Sequence, residues 1–203
     1  GCRDVWIDGQ WWKSLDEVIE EMDSETAERV IAIEKDRDPR LHDMTQKEPY
    51  NSLCTAAADG KIQQAGGGPN CRTWSVLRLI PLLSGKGLPC RGRSENTCWG
   101  LPELQREDRK GDRLMTDQDS VLLVRLMYII WLAGKAGTLR ASWLEHPADP
   151  AGWSEIKGAD NCSSVWVTKA MQAWTKELGM KLSTFDQKEF GGKATKWTTI
   201  AHS

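Results

Sequence analysis

The hydrophobic residues of this chain alternate between the spacing of helices and the spacing of buried strands. Residues 14–17, Ser-Leu-Asp-Glu, form a capping box, which predicts the start of a first helix. The unbroken apolar run over residues 30–33 predicts a buried strand that ends at Glu34. A second helix is expected over residues 49–58, because a proline suits its first turn and Gly60 suits the position just past its end.

The rest of the chain continues the same alternation. The predicted elements are a weaker strand over residues 61–65, a short helix from Thr73, a long helix over residues 116–132, a strand over residues 139–144, a helix from Ser163 or Ser164 to Leu178, and closing strands over residues 180–185 and 197–201. Strands that alternate with helices form sheets in which most strands are parallel. The pattern therefore predicts an α/β fold, with a mostly parallel sheet between helices and an antiparallel closing strand.

Length and composition favour one soluble domain. The 203 residues suit a single core, and 39% hydrophobic with 28% charged residues is ordinary for a globular protein. We interpret residues 1–29 as an N-terminal extension and residues 84–113, rich in glycine, proline and charge, as a long loop insertion. A membrane crossing needs about 20 apolar residues. The most apolar run, residues 121–133, is shorter, so we expect a buried helix there and no membrane partner.

The formal net charge of −2 gives the chain no overall attraction to nucleic acid. A contact with DNA would therefore depend on a local basic cluster, made up of Arg91, Arg93, Arg106, Arg109, Lys110 and Arg113. We favour the simpler interpretation of this cluster, which is a solvated and mobile loop.

The cysteines and histidines bear on metal binding and on the cellular compartment. Six cysteines and three histidines are dispersed along the chain, without any Cys-x-x-Cys pair. A zinc site needs several such ligands at short spacing, so we expect no bound metal. Dispersed cysteines in a domain of this length are typical of a reducing compartment. We therefore expect the protein inside the cell, in the nucleus or the cytoplasm.

Three polar clusters follow predicted strands, namely Glu34, residues 68–75 and residues 145–147. Ligands of open α/β sheets bind beyond the carboxyl ends of the strands, so the clusters predict one site at one edge of the sheet. Cys71 lies between a glycine-rich turn and the predicted helix at Thr73. A helix N-terminus lowers the pKa of a thiol and makes it a better nucleophile. The alternative is that Cys71 is a small buried hydrophobic residue, as free cysteines usually are.

Residues 67–75, Gly-Gly-Pro-Asn-Cys-Arg-Thr-Trp-Ser, resemble the nucleophile segment of the DNA (cytosine-5) methyltransferases. That segment reads Gly-Gly-Pro-Pro-Cys-Gln, then one further residue, an aromatic-type position and Ser. Residues 144–147, Leu-Glu-His-Pro, are similar to the family's Glu-Asn-Val or Glu-Asn-Pro segment. Glu34 and Asp43 stand where the family keeps two acidic residues that bind the cofactor. The tail over residues 185–198 resembles phage-type and protist retroelement-type members, and the similarity extends from residue 30 to the C-terminus.

The resemblance implies a Rossmann-like fold of the S-adenosylmethionine-dependent methyltransferase type and a definite reaction. The Cys71 thiolate would attack carbon 6 of a cytosine flipped out of DNA, while Glu145 would hold or donate a proton at ring nitrogen 3. Carbon 5 would then take a methyl group from S-adenosylmethionine, whose ribose and adenine would contact Glu34 and Asp43. The residues that would contact the substrate are Arg72, Ser75 and His146.

Two other functions remain open. Nothing before residue 30 matches the family's cofactor loop, Phe-x-Gly-x-Gly, and the family's Gln-x-Arg-x-Arg segment is absent. Asn70, Arg72 and His146 also replace a proline, a glutamine and an asparagine. These departures favour a non-catalytic, degenerate methyltransferase-like module of a mobile-element polyprotein. The third function is a hydrolase in which Cys71 is the nucleophile and His146 its base.

Overall fold

The computed structural model describes residues 39–79, 88–153, 156–191 and 195–203, together with the short pieces 5–7, 10–12, 33, 81–82 and 85–86. The helices are α1 (Pro39–His42), α2 (Lys47–Ala58), α3 (Lys110–Lys135) and α4 (Lys169–Glu177). The strands are β1 (Val5–Ile7), β2 (Gln10–Trp12), β3 (Gln64–Gly67), β4 (Pro81–Leu82), β5 (Gly85–Lys86), β6 (Ala141–Pro147), β7 (Lys181–Asp186) and β8 (Trp197–His202). The predicted helix that begins at residues 14–17, the predicted strand over residues 30–33 apart from Ile33, and Glu34 lie outside the described residues.

Four strands form a mixed sheet in the order β3-β6-β8-β7. β3 and β6 are parallel, with Gly67 opposite Leu144, and α3 lies between them in the chain because parallel neighbours need a crossover. β8 lies antiparallel between β6 and β7. The α/β class is confirmed. Among the described strands β3–β6 is the one parallel pairing, so the sheet is mixed. β7 nevertheless runs in the direction of β3 and β6, because β6 and β7 both pair antiparallel with β8, and β8 is the antiparallel closing strand that the pattern predicted.

β7 and β8 are antiparallel for a local reason. Only residues 187–196 connect them, whereas a parallel crossover needs about a dozen residues or more. The connection begins with the 3-10 helix Gln187–Phe190, which Asp186 caps by accepting a hydrogen bond from the amide of Lys188. Two separate antiparallel pairs, β1 with β2 and β4 with β5, complete the described strands.

One face of the sheet carries the main core, which α3 and α4 cover. Leu144 of β6 and Ala201 of β8 are fully buried, in one cluster with Leu123 and Ile130 of α3 and Met171 of α4. α2 packs against α3 in a smaller cluster around Ala57, Ile129 and Ala133. Because these helices cover one face only, β6 keeps a second face whose side chains are exposed or partly exposed.

Glycine ends two of the helices at the predicted places. Gly60 follows α2 with a φ of 71°, and Gly179 follows α4 with a φ of 64°, both in the left-handed region. The predicted start of α4 is shifted along the chain. Ser164 caps a short 3-10 helix, Val165–Val167, and Thr168 then caps α4 itself.

α3 begins at Lys110, six residues before the predicted cap at Thr116. Thr116 and Asp119 consequently lie in the middle turns of the helix, and both side chains are buried in the protein. The hydroxyl of Thr116 donates to the carbonyl of Asp112, one turn earlier, at 2.7 Å. A hydroxyl and a carboxylate three residues apart are typical of a helix cap, but they also fit a helix interior when each finds its own partner.

The described part of the predicted loop insertion is solvated only in part. Arg106, Lys110 and Arg113 are exposed, as expected for a solvated loop, but several other residues are buried. The buried apolar residues of this part are Cys90, Cys98 and Leu104. Arg91 and Arg109 are also buried, and Arg109 binds the carboxylate of Asp112 at 2.8 Å. Arg93 makes two hydrogen bonds of 2.7 and 2.6 Å to Asp149. The arginines are ordered because each finds acceptors within the chain.

Candidate functional site

The parallel pair β3–β6 brings together the two segments that carry the candidate reactive groups. β3 ends at Gly67, opposite Leu144, so Gly68 follows beside Glu145. A Cβ atom at Gly68 would lie 2.6 Å from Oε2 of Glu145, closer than side chains tolerate. Cys71 comes three residues further along the same loop. The site therefore depends on a glycine that lets the loop pass close to the Glu145 carboxylate.

Glu145 has a buried carboxylate oxygen, Oε1, that accepts no hydrogen bond from the described residues. Successive side chains of a strand point to opposite faces, and Glu145 points away from the face on which Leu144 and His146 are buried. Lys196, which directly precedes β8, places its ammonium group 3.7 Å from Oε1. A buried carboxylate oxygen without a donor is unfavourable, so this atom can take a hydrogen bond from a ligand.

Cys71 is half-buried and lies in a turn. Its carbonyl accepts from the amide of Trp74 at 2.9 Å, and the 3-10 helix Val76–Leu79 begins only after the turn. Burial raises the pKa of the Cys71 thiol above its ordinary value, Lys196 lowers it, and Glu145 raises it. The prediction of a helix N-terminus that activates this thiol is therefore wrong. At neutral pH the resting group is a protonated thiol.

Asp119 of α3 holds the turn that carries Cys71. Its carboxylate is fully buried and accepts from the amide of Thr73 at 3.2 Å, from the hydroxyl of Thr73 at 2.7 Å and from Nε of Arg72 at 3.0 Å. These bonds fix the two residues after Cys71. Sequence reasoning missed this role, although Asp119 and Leu123 lie on the same buried face of α3, and that periodicity was the signal that could have found it.

Arg91 also supports this turn, a role that no pattern in the sequence indicates. Its buried guanidinium donates to the hydroxyl of Thr73 through Nε and Nη2, at 3.1 and 3.0 Å. The same group lies 3.9 Å from the centre of the Trp74 ring, at the distance of a cation–π interaction. Burial lowers the pKa of Arg91 to about 10, so the group is still charged at neutral pH. The hydroxyl of Thr73 therefore accepts from Arg91 and donates to Asp119.

Arg72 and Ser75, two of the predicted substrate contacts, bind within the chain. The exposed Arg72 donates to Asp119 and, through Nη2, to the side chain of Gln118 at 3.2 Å. The hydroxyl oxygen of Ser75 accepts from the amide of Leu77 at 3.2 Å and so supports the start of the 3-10 helix. Both residues therefore position the Cys71 loop.

His146, the third predicted substrate contact, is buried on the core face of β6. Its ring packs edge-to-face on Trp74 with a centroid distance of 5.9 Å, and its Nε2 has no hydrogen-bond partner among the described residues. Burial, together with the nearby charges of Arg91 and Lys196, lowers the pKa of His146 to about 3. The ring is neutral at physiological pH. Since His146 and Glu145 point to opposite faces of β6, and Glu145 is the one beside the Cys71 loop, nothing here favours a hydrolase with His146 as base.

A cavity near the start of α2 lies next to Asp43, one of the two predicted cofactor residues. Asp43 is buried, and its Oδ1 accepts from the amide and the hydroxyl of Thr45, at 2.9 and 2.6 Å. His42, which precedes Asp43 in the chain, lines the cavity, and so does Ile33. Glu34, which follows Ile33 in the sequence, lies outside the described residues. The cavity has a volume of about 280 Å³ and is completed by Arg40, Glu48, Pro49, Ser52 and Leu53.

Other kinds of site were sought in the same residues. Among the described residues, no group of His, Cys, Asp and Glu side chains is arranged to hold a metal ion. No helix in the described part of the chain is both long enough and apolar enough to span a membrane. Comparison of the chain with protein-family models, with curated proteins and with solved structures finds no match. The function therefore has to be argued from the chemistry of the site itself.

Proposed function

We propose that the chain is a DNA (cytosine-5) methyltransferase-like domain, in which Cys71 and Glu145 act on one cytosine base. The observation that carries this proposal is the buried Oε1 of Glu145, which lacks a hydrogen bond beside the loop of Cys71. A cytosine ring needs a nucleophile at carbon 6 and a carboxyl group at ring nitrogen 3. The loop after β3 and the end of β6 supply one of each.

The proposed fold is a Rossmann-like sheet of the S-adenosylmethionine-dependent methyltransferase type. The β3-α3-β6 unit supports it, because the Cys71 loop and Glu145 lie at the carboxyl ends of two parallel strands, where open α/β sheets bind ligands. The antiparallel β8 next to β6 agrees with the antiparallel closing strand that we expected for this fold.

Glu145 would act by sharing a proton with ring nitrogen 3 of the cytosine. Its Oε1 needs a donor, and a protonated ring nitrogen is one. A proton held there withdraws electrons from the ring and makes carbon 6 electrophilic, which is the work of a general acid. Lys196, whose ammonium group lies 3.7 Å from Oε1, places a positive charge beside this carboxyl group.

Cys71 would form a bond from Sγ to carbon 6 and lose its thiol proton to solvent in the same step. Because burial raises its pKa, the thiolate is a minor form at neutral pH, and the nearby Lys196 increases its share. S-adenosylmethionine, when bound, would supply the methyl group for carbon 5. Carbon 5 then loses its proton and the Sγ–carbon 6 bond breaks, which restores the free cysteine.

The wall of the cavity beside Asp43 suits this cofactor in its chemistry. The volume of about 280 Å³ lies just below the lower end, about 300 Å³, of the usual range for small-molecule pockets. Its wall combines apolar surface from Ile33 and Leu53 with polar groups from His42 and Glu48. Glu34 and Asp43, each next to a wall residue, would hold the ribose and the adenine.

Covalent trapping tests the proposal. DNA duplexes of random sequence that contain 5-fluorocytosine should form an adduct with the full chain in the presence of S-adenosylmethionine, because fluorine at carbon 5 cannot leave as a proton does. The adduct should survive a denaturing gel. Cys71→Ser should form none. Glu145→Gln should form it at least tenfold more slowly, since general acid catalysis contributes about 10²-fold or more.

Cys54→Ser is the matched control, because Cys54 is another half-buried free cysteine but lies on α2. It should form the adduct at the rate of the unchanged chain. An adduct that persists in Cys71→Ser would contradict the assigned nucleophile. Absence of any adduct, together with no heat on titration with the demethylated cofactor, would refute a catalytic domain.

A non-catalytic methyltransferase-like module is the second candidate, and the raised pKa of Cys71 favours it. A module of this kind would keep the sheet and the Cys71 loop without the reactive thiolate. It should not bind the cofactor, and it should form no covalent adduct with 5-fluorocytosine DNA. Calorimetric titration of the unchanged chain and of Glu34→Ala with the cofactor separates the two candidates. A working cofactor site should give binding heat that Glu34→Ala reduces, whereas the non-catalytic module should give none in either chain.

A further inference from the structure

α3 presents a line of mostly apolar side chains along one side of the helix. We name this line the α3 stripe; its members are Leu114, Asp117, Val121, Val124, Tyr128, Trp131 and Lys135. Four of them are exposed hydrophobic residues, Leu114 by 59%, Val121 by 38%, Val124 by 48% and Tyr128 by 44%. A helix at a protein surface normally exposes charged and polar residues on its outer side. The α3 stripe is therefore a surface that needs an explanation.

The spacing of the α3 stripe is that of a helix–helix seam. Its members are separated alternately by three and by four residues, which is the 3.5-residue repeat of the a and d positions in coiled coils. α3 contributes other residues, Leu123, Met127 and Ile130, to the core. At one end of the stripe Trp131 is partly buried against that core, whereas Leu114, Val121, Val124 and Tyr128 stay exposed among the described residues.

The centre of the α3 stripe is held in place before any partner binds. The rings of Tyr128 and Trp131 are stacked, with centroids 5.6 Å apart. Beside the stripe, Arg125 donates to the carbonyls of Met44 and Gln46 and lies over the ring of Tyr50, so its charge is bound within the chain. Little side-chain entropy is left to lose when the patch is covered, which favours association.

We propose that a second copy of this chain packs antiparallel along the α3 stripe, around a two-fold axis between Val124 and Tyr128. In this register Val124 lies opposite the partner's Tyr128, and Val121 lies opposite the partner's Trp131. Asp117 then lies opposite the partner's Lys135, and the symmetry makes this contact twice. The apolar residues thus meet at the centre, and opposite charges meet at both ends.

Charge decides between the antiparallel and the parallel arrangement. A parallel pair would place Asp117 opposite Asp117 of the other copy, and Lys135 opposite Lys135 of the other copy. Both contacts would be repulsive, whereas the antiparallel pair makes both attractive. Within one chain Asp117 is 3.9 Å from Arg113 and Lys135 is 2.7 Å from Glu177, and these contacts leave part of both side chains exposed. The inter-chain pairs would add to them.

The size of the α3 stripe predicts a weak dimer. At about 1.5 Å per residue the stripe is about 32 Å long. The area that one pair of helices of this length can bury lies at the low end of specific interfaces. We expect a dissociation constant on the order of 10 µM.

Sedimentation equilibrium of the full chain measures this dimer directly. Between about 1 µM and about 1 mM, a range that covers weak interfaces, the mass should rise from 22.8 kDa to twice that value. Val124→Asp should keep the monomer mass throughout, because it places two carboxylates at the centre of the seam. Leu182→Asp is the matched control, since Leu182 is similarly exposed, by 52%, but lies on β7; it should dimerise normally.

Charge exchange tests the register without touching the apolar centre. Asp117→Lys and Lys135→Glu should each weaken the dimer at least threefold. The double variant should restore it, because the exchanged charges attract again across the two-fold axis. The double exchange cannot restore the contacts with Arg113 and Glu177, so recovery reports the inter-chain pairs. A chain that stays monomeric to 1 mM, a dimer that survives Val124→Asp, or a double variant as weak as the single ones would overturn the proposal. None of these results depends on the reactivity of Cys71.

Discussion

Replacement of Asp119 by alanine removes the buried carboxylate that holds the turn after Cys71. Three hydrogen bonds disappear together, from the amide and the hydroxyl of Thr73 and from Nε of Arg72. The amide of Thr73 then has no acceptor in a place that water reaches poorly. Arg91, which is buried and still charged, loses the carboxylate that favours its charged form.

The magnitude follows from the burial of these groups. The ion pair with Arg72 counts for less than a buried one, because the Arg72 side chain is 45% exposed. A single hydrogen bond to a charged group contributes about 1.5–3 kcal/mol, but the three bonds share one carboxylate and do not add. We therefore expect Asp119→Ala to lower the free energy of unfolding by about 2–4 kcal/mol. Asp119→Asn keeps an acceptor oxygen, so a loss of about 1–3 kcal/mol is expected.

Urea unfolding, followed by the fluorescence of the eleven tryptophans, measures both losses. Asp108→Ala is the control, because Asp108 is an exposed carboxylate that binds Arg106 at 3.0 and 2.9 Å. Exposed ion pairs contribute about 0–1 kcal/mol, so the control should change little. If Asp119→Ala loses no more than Asp108→Ala, Asp119 does not hold the turn and our account of the Cys71 loop fails.

Two further predictions concern β6 and its neighbours. Because burial lowers the pKa of His146 from 6.5 to about 3, only the unfolded chain takes up that proton between these pH values, so stability is lost as the pH falls from 6.5 towards 3. The free energy of unfolding, measured by urea titration, should fall by up to about 1.4 kcal/mol per pH unit in this range. His146→Gln should reduce this slope and His202→Gln should not. Equal slopes in all three chains would contradict the prediction. Gly68→Ala should push the Glu145 carboxylate aside and slow adduct formation on 5-fluorocytosine DNA at least tenfold, whereas Gly111→Ala, with no atom within 4 Å of its added Cβ, should not. Unchanged trapping by Gly68→Ala would show that the loop passes elsewhere.

Local patterns predicted the helices and strands of the C-terminal half well, and non-local pairing accounts for what they missed. The closing strands were expected over residues 180–185 and 197–201, and they form as Lys181–Asp186 and Trp197–His202. Their order could not be predicted, because β8 inserts between β6 and β7 through contacts between residues far apart in the chain. The alternation rule therefore describes the β3-α3-β6 unit and the α4 connection from β6 to β7, whose strands run in one direction, and it fails at the short connection from β7 to β8.

The candidate site was predicted in part, and the rest depends on which polar atoms find partners after folding. Two strand ends bring Glu145 beside the loop of Cys71, as the rule for open α/β sheets predicts. The roles of Arg91 and Asp119 could not be read from composition, because a buried ion looks like a surface ion in the sequence. Only its place on a buried helical face, as for Asp119, distinguishes it.

Glu145 and His146 are adjacent in one motif, yet the pleat of β6 separates their functions. Glu145 faces the Cys71 loop, where its unpaired oxygen can meet a ligand. His146 faces the core, where its ring fills space against Trp74. A smaller side chain at 146 therefore acts first on packing, and buried truncations of this kind lower stability by about 2–5 kcal/mol. A substitution at 146 consequently changes the core next to the Cys71 loop and does not reach the opposite face of β6, where Glu145 lies.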